Sequence, residues 1–489
     1  MSMLTALARL RAVREGRAQP IATVRHCHVA ERPLVFIPLR LAGEAAAPLA
    51  AMVGCDPAAP RLLVVPQPRN RDLRFAFAAE LAEVLLPYIE QFGKRTETVE
   101  RRGAEPYRRC ADAPQIVVPN RQAVAFTALL GRSTRFRRPD GPYPVHPSVP
   151  VLGRWLTFFA DRAGYPGSCL LLAATEALAL HWASGQSDLE DANLAALLGW
   201  IDPPPGVSGA QAAQEAEDPL IWPPAGPATD PGFDNEVLAP AIDAYAGSPD
   251  EQSIARIRRA LRTQLEPTWR LVWRAIELLR ALPAGASIER RWAHDRGAFT
   301  EFMERVAEGA PPQSRWDGAV SAASRLARWE RAQVSFDVQR AYDDPLVMAE
   351  YRLTGEAFAG RVVATDPERT EGEGRSRKLR PLVTVETGDP VRLAPGTVLG
   401  TPDRRGQEAE VVAVDGGRVT IRITKGMGRG RTPAPGAVPE VGERVCYSSL
   451  TDDFQAAPTL PEPEATPWTH GGPAAEYVPT DEDAAEEWS

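Results

Sequence analysis

The hydrophobic period of the chain changes at Gly355, and no single regular fold accommodates both sides of that change. Before it, apolar residues recur at helical spacing, with Ile254, Ile257, Leu261, Leu265, Ile276 and Leu279 in one run and Trp316, Val320, Ala323 and Leu326 in another. After it they alternate, as they do along half-buried strands. Strands are expected over 358–365, 381–387, 397–399, 408–414 and 418–424. Between the last two, Asp415-Gly416-Gly417 reads as a hairpin turn, because glycine supplies the positive φ that tight hairpins require. Short strands punctuated by glycine and proline predict a small β-barrel over 354–450.

Toward the N-terminus the grammar is that of an α/β domain, over 1–135. Leu34-Val35-Phe36-Ile37 and Leu62-Leu63-Val64-Val65 are short enough to be buried strands. The second is followed by Pro66 and a helical pattern over 75–89. The same order recurs at Ile116-Val117-Val118-Pro119-Asn120-Arg121, again with a helix expected behind it. A helical region over 136–201 follows, in which Leu152, Trp155, Leu156 and Phe159 share a face and an apolar helix is expected over 170–182. Residues 202–250, rich in Pro, Asp, Glu and Ala, read as a linker or surface excursion. Long, stalk-like, Arg-rich helices are expected over 251–353. Pro267 should kink or divide the first of them, a second should run over 313–342, and Pro345 marks a stop. Residues 451–489 contain no Lys or Arg and read as an acidic, extended tail. The 489-residue chain is therefore expected to be an α+β multidomain protein.

The formal net charge of −8 conceals an uneven distribution. Acidic residues crowd into 202–251 and 452–487, which leaves the stretches between them relatively basic. An overall pI of 5.5 therefore does not exclude a nucleic-acid-binding face. Lysine is confined to Lys94, Lys378 and Lys425, so nearly all positive charge is arginine, a bias that a GC-rich genome also produces. Cys27, Cys55, Cys110, Cys169 and Cys446 are scattered with no CxxC pair, the pattern of free thiols in a reducing, cytoplasmic compartment. No run of 18 uncharged apolar residues occurs, so no membrane span is expected. Leu4, Leu7, Leu10 and Val13 interleave with Arg9, Arg11 and Arg14, which is too charged for a signal core and fits a short amphipathic helix.

Two basic clusters stand out near the barrel. In Lys425-Gly426-Met427-Gly428-Arg429-Gly430-Arg431, glycines leave backbone amides approachable while Lys425, Arg429 and Arg431 are placed to neutralise phosphates. Arg422 lies on the strand leading into this loop. The second cluster is Arg375-Ser376-Arg377-Lys378-Leu379-Arg380, in a barrel loop. Both read equally as solvated loops. Aromatics for base stacking are sparse, with Tyr447 the nearest, so any binding would be directed at the backbone. Arg256, Arg258, Arg259, Arg262, Arg270, Arg274 and Arg280 line the polar side of the 251–282 helix, where they either form a groove for a single strand or are simply solvated. Trp269, Trp273, Trp292 and Trp316 read as helix-packing core.

Other constellations are incomplete. His26-Cys27-His28 has a zinc-compatible spacing, but two more ligands are needed and only the distant Cys55 and Cys110 suggest themselves. Asp72, Glu80 and Glu83 are the acidic residues a metal-dependent nuclease in the α/β domain would use, though they match no catalytic spacing. Arg69, Arg71, Arg74 and Arg121, after strand ends, fit an anion site or an interdomain contact. No cofactor, metal set or catalytic residue is assigned.

The order of Arg-rich helices followed by Val383-Thr384-Val385, Gly396-Thr397-Val398-Leu399, Ala409 to Val414 and Arg418 to Ile423 resembles the stalk helices and inserted β-barrel of superfamily 1 helicases of the RNA-surveillance and DNA-replication helicase-nuclease type. The resemblance covers roughly 251–475. It implies a platform that contacts the strand being moved beside a motor. The motor's phosphate-binding loop, Gly-x-x-x-x-Gly-Lys-Ser/Thr, is missing: Lys94 is preceded by Gly93 but followed by Arg95, Lys378 follows Arg377, and Lys425 follows Thr424. The expectation is a non-catalytic accessory subunit that binds DNA or RNA, as a single strand through its backbone. It would work with a separately encoded helicase-like ATPase in a prokaryotic genome-maintenance or anti-phage system. A nuclease and a protein-binding assembly scaffold are the alternatives.

Overall fold

A computed structural model describes residues 2–451 and 458–462, except 45, 102, 373–376, 429 and 431. The molecule is a mixed α+β multidomain protein. Its body is built on a five-stranded sheet with strand order Arg61–Val64, Pro48–Gly54, Leu34–Arg40, Ile116–Val118, Leu171–Ala173. The first three form an antiparallel meander, and the last two are added in parallel beside Leu34–Arg40. Leu34–Arg40 and Pro48–Gly54 are buried on both faces, which is why they read as unbroken apolar runs. The two strand–Pro–Arg echoes share one device. An asparagine caps each helix, Asn70 accepting from Leu73 N at the start of Arg71–Gly93 and Asn120 from Ala123 N at the start of Arg121–Thr134.

Three expectations change in the body. The apolar stretch after Gly167 is the strand Leu171–Ala173 followed by the short helix Ala174–Ala179, not one helix over 170–182. A brief apolar run buried at a sheet edge carries no period that separates it from a buried helix. Pro267 does not divide its helix, and Glu251–Ala281 runs unbroken for 31 residues, about 46 Å. Leu265, Thr268, Trp269 and Val272 are buried on either side of the proline. This helix lies along the sheet rather than projecting from it, with Trp269 Nε1 donating to Pro57 O at 2.9 Å. Residues 202–250 form short helices and pack into the body: Ala225, Leu238 and Ala241 are buried, and Pro227 O accepts from Arg40 N.

One apolar cluster extends from Ala12 to Phe302, so the segments 1–135, 136–201, 202–250 and the first helices of 251–353 share a core. Of the four tryptophans read as packing residues, Trp269, Trp273 and Trp292 are buried, whereas Trp316 is 79% exposed and precedes its helix. That helix, Ala319–Asp343, buries only Val338, Gln339 and Ala341 near its C-terminal end.

The C-terminal domain is a closed antiparallel barrel of six strands in the order Ala357–Asp366, Leu382–Thr387, Arg418–Lys425, Glu408–Asp415, Val398–Gly400, Arg444–Ser448. The first five are those expected from the alternation. The sixth, which closes the barrel, turns Val445 and Tyr447 inward. The barrel has its own core, including Phe358, Val383, Val385, Val411, Ile421 and Tyr447. Two adjacent aspartates tie it to the body. Asp343 receives Ser287 N at 2.8 Å and pairs with Arg405 from the barrel at 2.5 Å. Asp344 caps the Pro345–Thr354 helix through Leu346 N, accepts Thr23 N and Thr23 Oγ1, and lies 3.3 Å from His26 Nε2. Burial alone would raise the Asp344 carboxyl, but the nearby His26 and the bonds from Thr23 and Leu346 outweigh it and hold it well below the carboxylate range.

Candidate nucleic-acid interface

The barrel and the long helix present the expected cations in different conditions. Arg375, Arg429 and Arg431 lie outside the described residues. Arg422 is clamped between Glu371 at 3.1 Å and Glu410 at 2.8 Å, because the strand register sets it opposite Glu410. Lys425 pairs with Glu408 and Arg258 with Glu251. Arg377 donates to Thr370 Oγ1, and Arg380 donates to the carbonyls of Leu379 and Thr424. Lys378 and Arg262 are exposed and have no carboxylate partner among the described residues. The Arg422 network is partly shielded and braces the barrel wall. The Arg258–Glu251 pair is solvated, is worth about 0–1 kcal/mol, and would yield readily to a phosphate.

The seven arginines expected along the helix differ in their surroundings. Ile257, Leu261 and Leu265 face the core, and at 100° per residue Arg256 and Arg259 fall on the opposite side with Arg262 on its flank. All three are exposed and have no carboxylate partner among the described residues. The lower half of the same face is neutralised, Arg270 by Glu266 and Arg274 by Asp202 and Glu277. Arg280 donates to the carbonyls of Ala30 and Glu31.

A second basic surface arises where three distant segments meet, and spacing along the chain gives no sign of it. The loop 164–168, the Ile288–Ala307 helix and the Ala319–Asp343 helix enclose a cleft of about 340 Å³ lined by Arg162, Arg290, Arg291, His294, Arg328 and Arg331. Gly167, at φ 79°, lets the elements close: a Cβ there would lie 2.9 Å from Arg291 Cδ and 3.1 Å from Phe336. Withdrawal from water and the neighbouring Arg162 both hold His294 below its ordinary pKa. The only hints in the sequence were the local arginine densities at 290–291 and 325–331.

His26 is buried against Asp344, and His28 stacks on Trp292 with centroids 3.9 Å apart. Burial drives the His28 pKa down to about 4. Among the described residues no group of three His, Cys, Asp or Glu side chains could hold a metal ion, and all five cysteines are free. Asp72 pairs with its neighbour Arg71, Glu83 pairs with Arg61, and Glu80 is an exposed helix residue, so the three do not converge. Arg69 pairs with Glu44, and Arg121 with Glu176. Tyr447 points into the barrel, where its hydroxyl meets Gln407 Oε1. Among the described residues no helix is long and apolar enough to cross a membrane. No protein-family model, curated protein or solved structure matches the chain.

Proposed function

We propose that this protein is a non-catalytic, cytoplasmic subunit that binds single-stranded DNA or RNA through its backbone. The observation that carries the reading is the row Arg256, Arg259 and Arg262, three exposed guanidiniums without carboxylate partners among the described residues on one rigid helix. Residues three apart on a helix are neighbours, so the row sets a line of positive charge that a flexible polyanion can follow. Lys378 adds a cation on the barrel. The resemblance to helicase stalk-and-barrel regions supports a helicase-like ATPase as the partner, in genome maintenance or anti-phage defence. Titration of a labelled single-stranded oligonucleotide tests the reading. Wild-type protein should bind in a salt-dependent way, and the triple reversal R256E/R259E/R262E should weaken binding more than tenfold. Absence of binding at low salt would sink it.

A protein-binding scaffold is the second reading, supported by one observation. The Met3–Glu15 helix leaves Leu7, Leu10 and Val13 at 51%, 68% and 60% exposure. Leu7→Gln with Leu10→Gln should then abolish capture of a partner that survives nuclease treatment. If the double variant retains the partner, that helix is not the docking face.

A further inference from the structure

We propose that the arginine cleft between the loop 164–168 and the Ile288–Ala307 and Ala319–Asp343 helices is a binding site for a phosphate monoester, carried by a free nucleotide or by the end of a strand. The inference goes beyond backbone binding along the long helix and does not depend on it. Its first support is the charge balance of the hollow. Asp295 is the sole carboxylate among the described residues lining it, and it is fully engaged: Oδ1 accepts Arg162 Nη2 and Ser168 Oγ, and Oδ2 accepts Cys169 N, all at 2.7 Å. Arg291 has only neutral acceptors, Gln339 Oε1 at 2.7 Å and His26 O at 2.9 Å. Arg328 and Arg331 have no partner among the described residues.

A guanidinium cannot relieve such crowding by losing its proton. The guanidiniums of Arg291, Arg328 and Arg331 therefore stay charged, and a phosphate dianion presents acceptors in the geometry that guanidiniums bind best. The second support is preorganisation. Arg162 lies over the Tyr165 ring at 4.2 Å and Arg291 over Phe336 at 5.2 Å, so two of the cations are held in place by aromatic faces. Arg328, Arg331, Ser335 and Gln339 recur at helical spacing on the side of Ala319–Asp343 that faces the cleft. Trp329 seats that helix over the loop, its Cη2 lying 3.5 Å from where a Cβ would stand on Gly164. The volume of about 340 Å³ suits a small ligand or one terminal nucleotide rather than a strand in passage.

The test uses the full chain and its R328A/R331A variant. Both substitutions fall on accessible side chains of a mostly exposed helix, so the fold should survive, and circular dichroism checks this. The probes are a 5′-phosphorylated and a 5′-hydroxyl oligothymidylate of equal length, with adenosine 5′-monophosphate and adenosine as free ligands. The phosphorylated member of at least one pair should bind tenfold or more tightly than its counterpart, and the variant should erase that difference. Discrimination between the oligonucleotides alone identifies a strand end; discrimination between the nucleosides alone identifies a free phosphate ester. Equal binding within both pairs, or a preference untouched in R328A/R331A, would overturn the assignment. R256E/R259E/R262E should weaken both oligonucleotides alike and leave the preference intact, which separates failure of this site from failure of the backbone-binding helix.

Discussion

Burial holds His181 neutral, and its hydrogen bonds fix the tautomer: Nδ1–H donates to Ala177 O at 2.7 Å while Nε2 accepts His26 N at 2.8 Å. Its pKa falls from 6.5 to about 4, the leading cause being loss of water. A folded-state pKa below the unfolded one means that the unfolded chain takes up the proton first. The stability that His181 contributes is therefore present above pH 6.5 and lost as pH falls toward 4, amounting to about 2 kcal/mol by pH 5. The unfolding temperature should drop between pH 7 and pH 5, and His181→Gln should flatten that dependence. Asp344 follows the opposite chemistry to a related end. Its carboxylate is held by two segments, 23–26 and the backbone of Leu346, and Asp344→Ala should cost about 3 kcal/mol in urea unfolding. Neither role is legible in the sequence. The His26-Cys27-His28 spacing suggested a metal, whereas His26 finds its partner 318 positions away in Asp344.

Helices cross where side chains permit close approach, and Gly131 and Gly153 permit it between Arg121–Thr134 and Ser148–Ala163. A Cβ on Gly153 would stand 2.3 Å from Arg135 N, and one on Gly131 would stand 2.7 Å from Thr157 N. Arg121–Thr134 and Ser148–Ala163 thus pack backbone against backbone, and Gly153→Ala should destabilise by about 2 kcal/mol, read from the shift in urea midpoint. The Glu251–Ala281 helix makes the corresponding prediction for binding. If Arg256, Arg259 and Arg262 each neutralise one phosphate, reversing all three should reduce the slope of log affinity against log salt by about 2. The arginine row was readable from residue spacing alone, because a helix turns a linear pattern into a face. Which members remain available was not, since Asp202, which pairs with Arg274, lies 72 positions earlier in the chain.

The barrel and the body differ in how much of their cores is local. Residues 355–451 contain every strand of the barrel and all of its buried cluster, so this fragment should fold alone and unfold cooperatively. A fragment beginning at residue 251 should instead aggregate or bind a hydrophobic dye. It exposes Ile257, Leu261, Leu265, Trp269, Val272 and Ile276, whose partners belong to the sheet. A soluble, dye-negative 251–450 fragment would show that the helix does not need the sheet.

Alternation after Gly355 was enough to specify five barrel strands, and helical spacing was enough to specify the long helices, because both periods are properties of neighbouring residues. Folding in three dimensions decided the rest. Arg444–Ser448 closes the barrel only by meeting Ala357–Asp366 and Val398–Gly400, and Leu171–Ala173 is a strand only because Ile116–Val118 lies beside it. The arginine cleft exists because three segments more than 20 residues apart converge on Gly167. Charge proximity of that kind depends on through-space contact, which no local pattern encodes.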